Sequence, residues 1–485
     1  MSNPYEFVRY HGKPYPQTHP ERLATLATLY GLDPPGIYGA RVLEIGCCDG
    51  GNLIPMAMSL PGSEFVGIDI TESDIADACQ TVAALGFSNI EFHVMDLTDL
   101  PGSLGQFDYI VTHGVYSWLP PDVREKLMAV IRASLSPRGV AFVSYNAQPG
   151  GHVRQAVREM MLFHIGDVQD PQEKLIRARQ FLEFLSAAYA RGTQSKILTK
   201  YVNLLMRQSD HVLFHDDLAD HYEPVYLHEF AEHAGRYGLQ YLSESSYFLN
   251  RPENLGSEAA PMFAQQSAAF GGDPVLTDQY LDFMRGAQFH QALLCHRDAP
   301  VNRTVPPDRM KRFRFLSAST VVAANPAANV GAESGEETYE GVQGSRITTG
   351  APSVVQLMRS LIDAYPHSIP YADLPGAGIS TEELCGTLLA LMNFGLISAT
   401  LHSPEFRLTP SEHPTVSPLA RWQAANSRTL TDLRHSRTGV ETDLQLALIP
   451  LLDGTRTRES LAELFPDTMI DDALNVIGSR CLFTA

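Results

Sequence analysis

Between residues 41 and 145, short apolar runs alternate with segments whose apolar positions recur at helical spacing. Runs at 42–45, 65–70, 90–94, 107–111 and 140–145 predict five strands, and segments 74–85 and 123–135 predict helices, the second stopped by Pro137 and Gly139. Such alternation predicts a parallel sheet with helices on both faces, joined by right-handed crossovers. Upstream, Pro4, Pro14, Pro16 and Pro20 break any continuous helix in residues 1–22 before an amphipathic pattern at Leu23, Leu26, Ala27 and Tyr30. Downstream, residues 152–250 read as mainly helical, with long periodic runs at 153–165 and 171–190 and a shorter one at 229–238. Residues 277–294 also read as helical, with a few strands expected near 311–322.

Residues 323–352 are small, acidic and polar and read as a flexible linker. Helices are then predicted over 354–365 and 381–394, ending at Gly395, followed by hairpin-like alternation over 396–408. That order is winged-helix-like. The expected fold is therefore α/β. A Rossmann-like domain covers 1–150, a mainly helical middle domain 151–322, the linker 323–352 and a winged-helix-like C-terminal domain 353–485. A length of 485 residues suits roughly three domains at about 150 residues each.

The formal net charge of −19 repels phosphate backbones, which argues against nucleic acid as a partner. It suits a basic acceptor such as a lysine-bearing protein, and it equally serves solubility. Glu382 and Glu383 lie in the second helix of the winged-helix-like unit, which has no Lys or Arg; protein contact is the better reading of that unit. The six cysteines are scattered without a CxxC pair, the N-terminus lacks an apolar signal core, and no apolar run is long enough to span a bilayer. A cytoplasmic chain is expected, with a homodimer among its possible states.

The chemistry gathers at the predicted carboxyl ends of the strands, where such sheets bind ligands. The stretch RVLEIGCCDGGN carries Glu44 at the end of the first strand and a turn holding Gly46, Cys47, Gly50 and Asn52. Gly46 allows a sharp turn beside a ligand, and the following glycines let a helix N-terminus approach it. Asp69 closes the second strand next to Ile70, where an acid can take both hydroxyls of a ribose. Asp96 closes the third strand next to Leu97, where it can accept from an adenine amino group. The aromatic arm before the sheet, with Tyr15 and Thr18, is a candidate cover for the ligand or an ordinary surface arm.

These features resemble the class I methyltransferases that use S-adenosylmethionine. Cys48 stands where the common pattern has a middle glycine, as is usual in the E-x-G-C-x-x-G-G-N variant. The resemblance implies that Gly46, Gly50 and Asn52 wrap the methionine part of the cofactor, Asp69 holds its ribose, and Asp96 with Leu97 brackets its adenine. A wider resemblance, carried by YPQTHPERL, EIGCCDGGN, FDYIVTHGVYSWLP, SYNAQPG, FHDDL and LLDGTRTRESL, is to methyltransferases with a middle regulatory domain and an appended C-terminal domain. It includes the rickettsial-type enzymes acting on lysines of an outer-membrane protein. It implies a protein lysine as acceptor; a small-molecule acceptor, or cofactor binding without turnover, are the alternatives.

A lysine acceptor needs an apolar, aromatic pocket that favours the neutral amine. Tyr116, Trp118, Tyr145 and Asn146, after the fourth and fifth strands, are the candidate pocket, and His113 is a candidate for cofactor contact or proton relay. His211 and His215 share a helical face, and His228 and His233 sit five apart, off a common face. Neither pair is assigned a metal.

Overall fold

The computed structural model describes residues 8–100, 102–190, 196–322, 336–375, 379–465 and 469–485. Five strands alternate with helices as the pattern predicts: β1 (Arg41–Ile45), β2 (Glu64–Asp69), β3 (Ile90–Val94), β4 (Phe107–Thr112) and β5 (Leu135–Asn146). Two more strands, β6 (Leu239–Glu244) and β7 (Phe289–His296), complete one sheet in the order β3-β2-β1-β4-β5-β7-β6. Pairing is parallel from β3 to β5, and β7 runs antiparallel to both β5 and β6. The order reverses between β1 and β4, which places a ligand crevice at the carboxyl ends of those strands.

The strands are apolar on both faces because both faces are covered. Val42, Phe65, Tyr109 and Phe142 face one core, shared with the helix Pro20–Leu29. Their neighbours Leu43, Val66, Ile110 and Ala141 face the other, shared with Leu127 and Ile131 of the helix Pro121–Ser134 and Phe230 of Leu227–Arg236.

Several expectations are corrected. Residues 277–294 do not form one helix. The helix Pro274–Arg285 ends at Gly286, in the left-handed conformation at φ 62°, and β7 follows. The middle segment thus supplies two strands to the same sheet as residues 1–150. Residues 336–352 of the expected linker form a hairpin, Glu337–Glu340 against Arg346–Thr349, around the buried Tyr339; the rest of that linker lies outside the described residues. The alternation after Gly395 gives no hairpin. Ser398–Thr400 pairs instead with Arg314–Leu316. The helices Pro352–Ala364 and Thr381–Asn393 pack their buried faces into the first core, beside Phe313 and Phe315. The C-terminal core is separate and begins at Val416. It joins the helices Pro418–Ala424, Asp443–Leu448, Arg458–Leu464 and Ile470–Ser479 with the hairpin Thr429–Thr431/Arg437–Gly439.

The long runs near 153–165 and 171–190 are the helices Gly151–Ile165 and Pro171–Ala190. With Lys196–Leu205 they form a fourth core around Val157, Met161, Leu182 and Val202. No described helix is long and apolar enough to cross a membrane.

Candidate active site

A cavity of about 780 Å³ opens at the carboxyl ends of β1, β2 and β4. One side is built by the turn after β1. Gly46, at φ 78°, lies so close to Val115 that a Cβ would meet its methyl at 2.6 Å, so the position needs glycine on both counts. Cys48 is left-handed too, at φ 48°, the geometry the missing middle glycine would adopt without strain. Its N–H donates to Asp69 Oδ2 at 3.0 Å, and Thr71 N–H donates to Asp69 Oδ1 at 2.9 Å. Both carboxylate oxygens are thereby aimed at the cavity edge with lone pairs to spare. Asp96 is fixed likewise by the N–H of Thr98, at 2.8 Å, with Leu97 beside it.

Glu44 is 3 % exposed and lines the same cavity. Its Oε1 accepts from Asn52 Nδ2 at 2.7 Å, whereas the buried Oε2 has no partner among the described residues. Burial pushes the carboxyl up to about 8, against the opposing Asn52 hydrogen bond. A buried acceptor without a donor and a turn that admits no side chain both fit the ammonium-bearing amino-acid end of S-adenosylmethionine. Asp69 and Asp96 fit its ribose and adenine.

The N-terminal arm lies across this site. Arg9 pairs with Asp74 and Asp77, at 2.8 and 2.7 Å, on the helix Glu72–Leu85. Gly12 donates to Asp49 at 2.9 Å, and its backbone touches Gly51 so closely that a Cβ on Gly51 would sit 2.4 Å from its carbonyl. Tyr15 stacks on His113 with ring centroids 3.8 Å apart. Tyr10, Lys13, Tyr15 and Gln17 all line the cavity, so the arm covers the site.

Of the expected site residues, the cavity brings together Tyr15, Glu44, Gly46, Cys47, Asn52, Asp69, Ile70, Asp96, Leu97, His113, Trp118 and Asn146. Thr18 and Gly50 stand behind the lining. Thr18 is fully buried and bonds Asn52, and Gly50 turns the chain against Phe92 and Ile54. Burial pushes the His113 imidazole down to about 4, so the ring is neutral where it stacks on Tyr15.

Tyr116 and Tyr145 are corrections. Tyr116 is buried in the core beside Leu127 and Phe230, its hydroxyl 2.8 Å from His233 Nδ1. Tyr145 is stacked between Phe230, at 4.3 Å, and His290, at 5.3 Å. Neither reaches the cavity.

The acceptor end is built instead by residues that sequence reasoning did not select. Arg154 on the helix Gly151–Ile165 bonds Asn146 Oδ1 at 3.0 Å and Asp217 at 2.9 Å, and its guanidinium lies 5.4 Å from the rings of both Trp118 and Tyr222. Asp217 is thereby neutralised. Asp216 is left 3.6 Å from Arg154, lining the cavity with Tyr10, Tyr201 and Tyr222. Burial holds the Asp216 carboxyl up at about 6, although Arg154 opposes the shift. The FHDDL stretch, which carries both acids, was the available signal. His215 faces the carbonyl of Val8, and His211 and His215 both pack edge-on to Tyr10. His228 bonds Gln279 at 3.0 Å, away from His233.

Sheet order, glycine turn and the three acids fit the cofactor site of an S-adenosylmethionine-dependent methyltransferase of Rossmann-like fold. Residues 42–139 match the Methyltransferase domain family, 209–296 the "Predicted methyltransferase regulatory domain", and 412–480 the "PKMT, C-terminal winged helix domain". The chain belongs to the PKMT-type methyltransferases. An uncharacterized protein of Rickettsia prowazekii (strain Madrid E) is 32% identical, over 95% of this chain and 85% of its own. The structure of PKMT2 from Rickettsia typhi superposes with a TM-score of 0.83 at 26% identity, over 98% of this chain and 100% of that one. The same protein in complex with AdoHcy aligns with a TM-score of 0.82 at 25% identity, over the same 98% and 100%. The winged helix thus lies at 412–480, further along the chain than the helix-helix-hairpin order expected after residue 353.

Proposed function

We propose that the methyl acceptor is a lysine side chain of a protein. The PKMT relationship, a protein-lysine methyltransferase type, supports a protein acceptor. The observation that carries the reading is Asp216 at the aromatic end of the cavity, beside a carboxylate that Arg154 has already neutralised. When bound, S-adenosylmethionine supplies a methyl group that is electrophilic at carbon.

Asp216, with its carboxyl at about 6, is ionised at neutral pH and attracts the incoming ammonium. Tyr10, Trp118, Tyr201 and Tyr222 replace its water, which favours the neutral amine and releases a proton to solvent. Asn146, its carbonyl oxygen held by Arg154, and Asp216 accept from the remaining N–H groups and aim the lone pair. Positioning of this kind supplies much of the rate in such transfers.

In the same reading, residues 1–150 bind the cofactor and the parts at 151–322 and 353–485 shape the acceptor cleft or dock the substrate. The enzyme works in the cytoplasm, alone or as a homodimer, and an outer-membrane protein is a candidate acceptor. The net charge of −19 supports a basic partner.

The test is transfer from isotopically labelled S-adenosylmethionine to a cell lysate, a denatured lysine-rich outer-membrane protein and a small-metabolite extract. Label recovered as methylated lysine after hydrolysis of the protein is the expected result. Label confined to the small-molecule fraction overturns the reading.

A further inference from the structure

We propose that the C-terminal winged helix completes the cofactor site, with His435 locking the Asn52 amide that holds Glu44. His435 lies 383 residues from Asn52 in the chain, in the loop between Thr429–Thr431 and Arg437–Gly439. That loop is tightly built. The Asp432 carboxylate accepts the N–H of Arg434 at 2.9 Å and of Ser436 at 2.8 Å, and His435 N–H donates to the Asp432 carbonyl at 3.1 Å. His435 itself sits at φ 58°, a backbone conformation that costs energy in a residue with a Cβ. Its ring is 6 % exposed and pushes into the methyltransferase domain.

There Nε2 comes within 2.9 Å of Asn52 Oδ1, which also takes the Tyr15 N–H at 2.9 Å. Those two donors fill both lone pairs of the amide oxygen. The amide nitrogen spends its two hydrogens on Glu44 Oε1, at 2.7 Å, and Thr18 Oγ1, at 3.0 Å. Thr18 passes its own hydrogen to the Tyr15 carbonyl at 2.8 Å. Every polar atom of Asn52 is therefore committed, and the amide has one orientation. A flipped amide would set its nitrogen against two donors, the N–H groups of Tyr15 and His435.

His435 supplies one of the two donors that forbid the flip. Burial, with His19 beside it, keeps the imidazole neutral, and because Nε2 faces the amide oxygen that the Tyr15 N–H also reaches, the single proton sits on Nε2. Nδ1 is buried without a partner among the described residues. A histidine held in a left-handed backbone with one nitrogen orphaned is poor packing material; the contact that explains it is the one to Asn52. His435 is accordingly a positioning residue. It acts through Asn52 on Glu44, the buried acid that would hold the amino-acid end of the cofactor.

The test is AdoHcy binding to the full-length chain by calorimetry, which needs no methyl acceptor and stands apart from the choice of lysine as substrate. Two variants of matched length, His435→Gln and His435→Met, share the strained backbone and differ in whether a donor reaches Asn52. Each is compared only after its Tm shows it is folded. His435→Met is expected to weaken AdoHcy about 3- to 10-fold, the effect of one lost buried hydrogen bond, and His435→Gln to stay within about twofold of the parent. In an Asn52→Ala background, His435→Met should add no further loss. Equal affinities for the Gln and Met variants overturn the proposal, and so does an undiminished effect of His435→Met when Asn52 is Ala. If the Met variant does not fold, the proposal stands or falls on His435→Ala in the same two backgrounds.

Discussion

Asp69 shows why the cofactor half of the site was readable from sequence. A residue at the carboxyl end of a parallel strand has its position set by the sheet, and the Cys48 N–H from the turn after β1 and the Thr71 N–H just after β2 then hold its carboxylate. Asp69→Ala should remove AdoHcy binding, while Tyr116→Phe should leave transfer within about twofold and cost only about 1 kcal/mol of stability, because its hydroxyl serves His233. AdoHcy titration and a transfer assay on the two variants check this, and retained binding in Asp69→Ala would contradict the site. The acceptor half was less readable. Tyr145 and Asn146 are consecutive on β5, so the alternation of a strand lets only one of them face the cavity. Tyr116 and Trp118 lie in a single tight turn, Tyr116–Trp118, that sends the two side chains apart. Arg154 and Asp216 come from segments whose closeness depends on how a separate helical layer docks, and no local pattern encodes that.

Among elements, the five strands between residues 41 and 146 were legible because each is a short apolar run bounded by polar turns. The other two were not. β6 and β7 are separated from β5 in sequence by a helical layer, and the periodicity of Thr277–Leu294 conceals the break at Gly286. Their place in the sheet has an energetic consequence. Leu293 of β7 is fully buried in the core shared with the helix Pro20–Leu29. Leu293→Ala should therefore destabilise the cofactor-binding region itself, by about 2–5 kcal/mol. The expected result is one melting transition, shifted down, with AdoHcy binding lost in the same step. Two transitions, with the AdoHcy-dependent one unmoved, would show that residues 239–296 fold apart from the first five strands. The short hairpin at Glu337–Thr349 escaped notice because its composition is polar and Tyr339 is the one buried residue in its two strands.

At the scale of the whole molecule, the cavity is lined by two remote parts of the chain, the N-terminal arm and the helical layer after β5, and the winged helix reaches its wall where His435 bonds Asn52. Composition indicated an acidic protein suited to a basic partner, and the family motifs indicated its order of parts. Neither indicated that the acidic end of the cleft would be divided between a neutralised Asp217 and an available Asp216. The central claim is that a lysine ammonium enters beside Asp216. The most direct measurement is the KM for a lysine-bearing protein acceptor as a function of pH, for the parent chain and Asp216→Asn at saturating S-adenosylmethionine. The parent carboxylate is protonated below about pH 6 and ceases to attract the ammonium, so KM should climb as pH falls through that value. Asp216→Asn should show a KM raised about tenfold and flat across pH 5–8, with AdoHcy affinity unchanged. An unaltered KM and pH profile in Asp216→Asn would contradict the account.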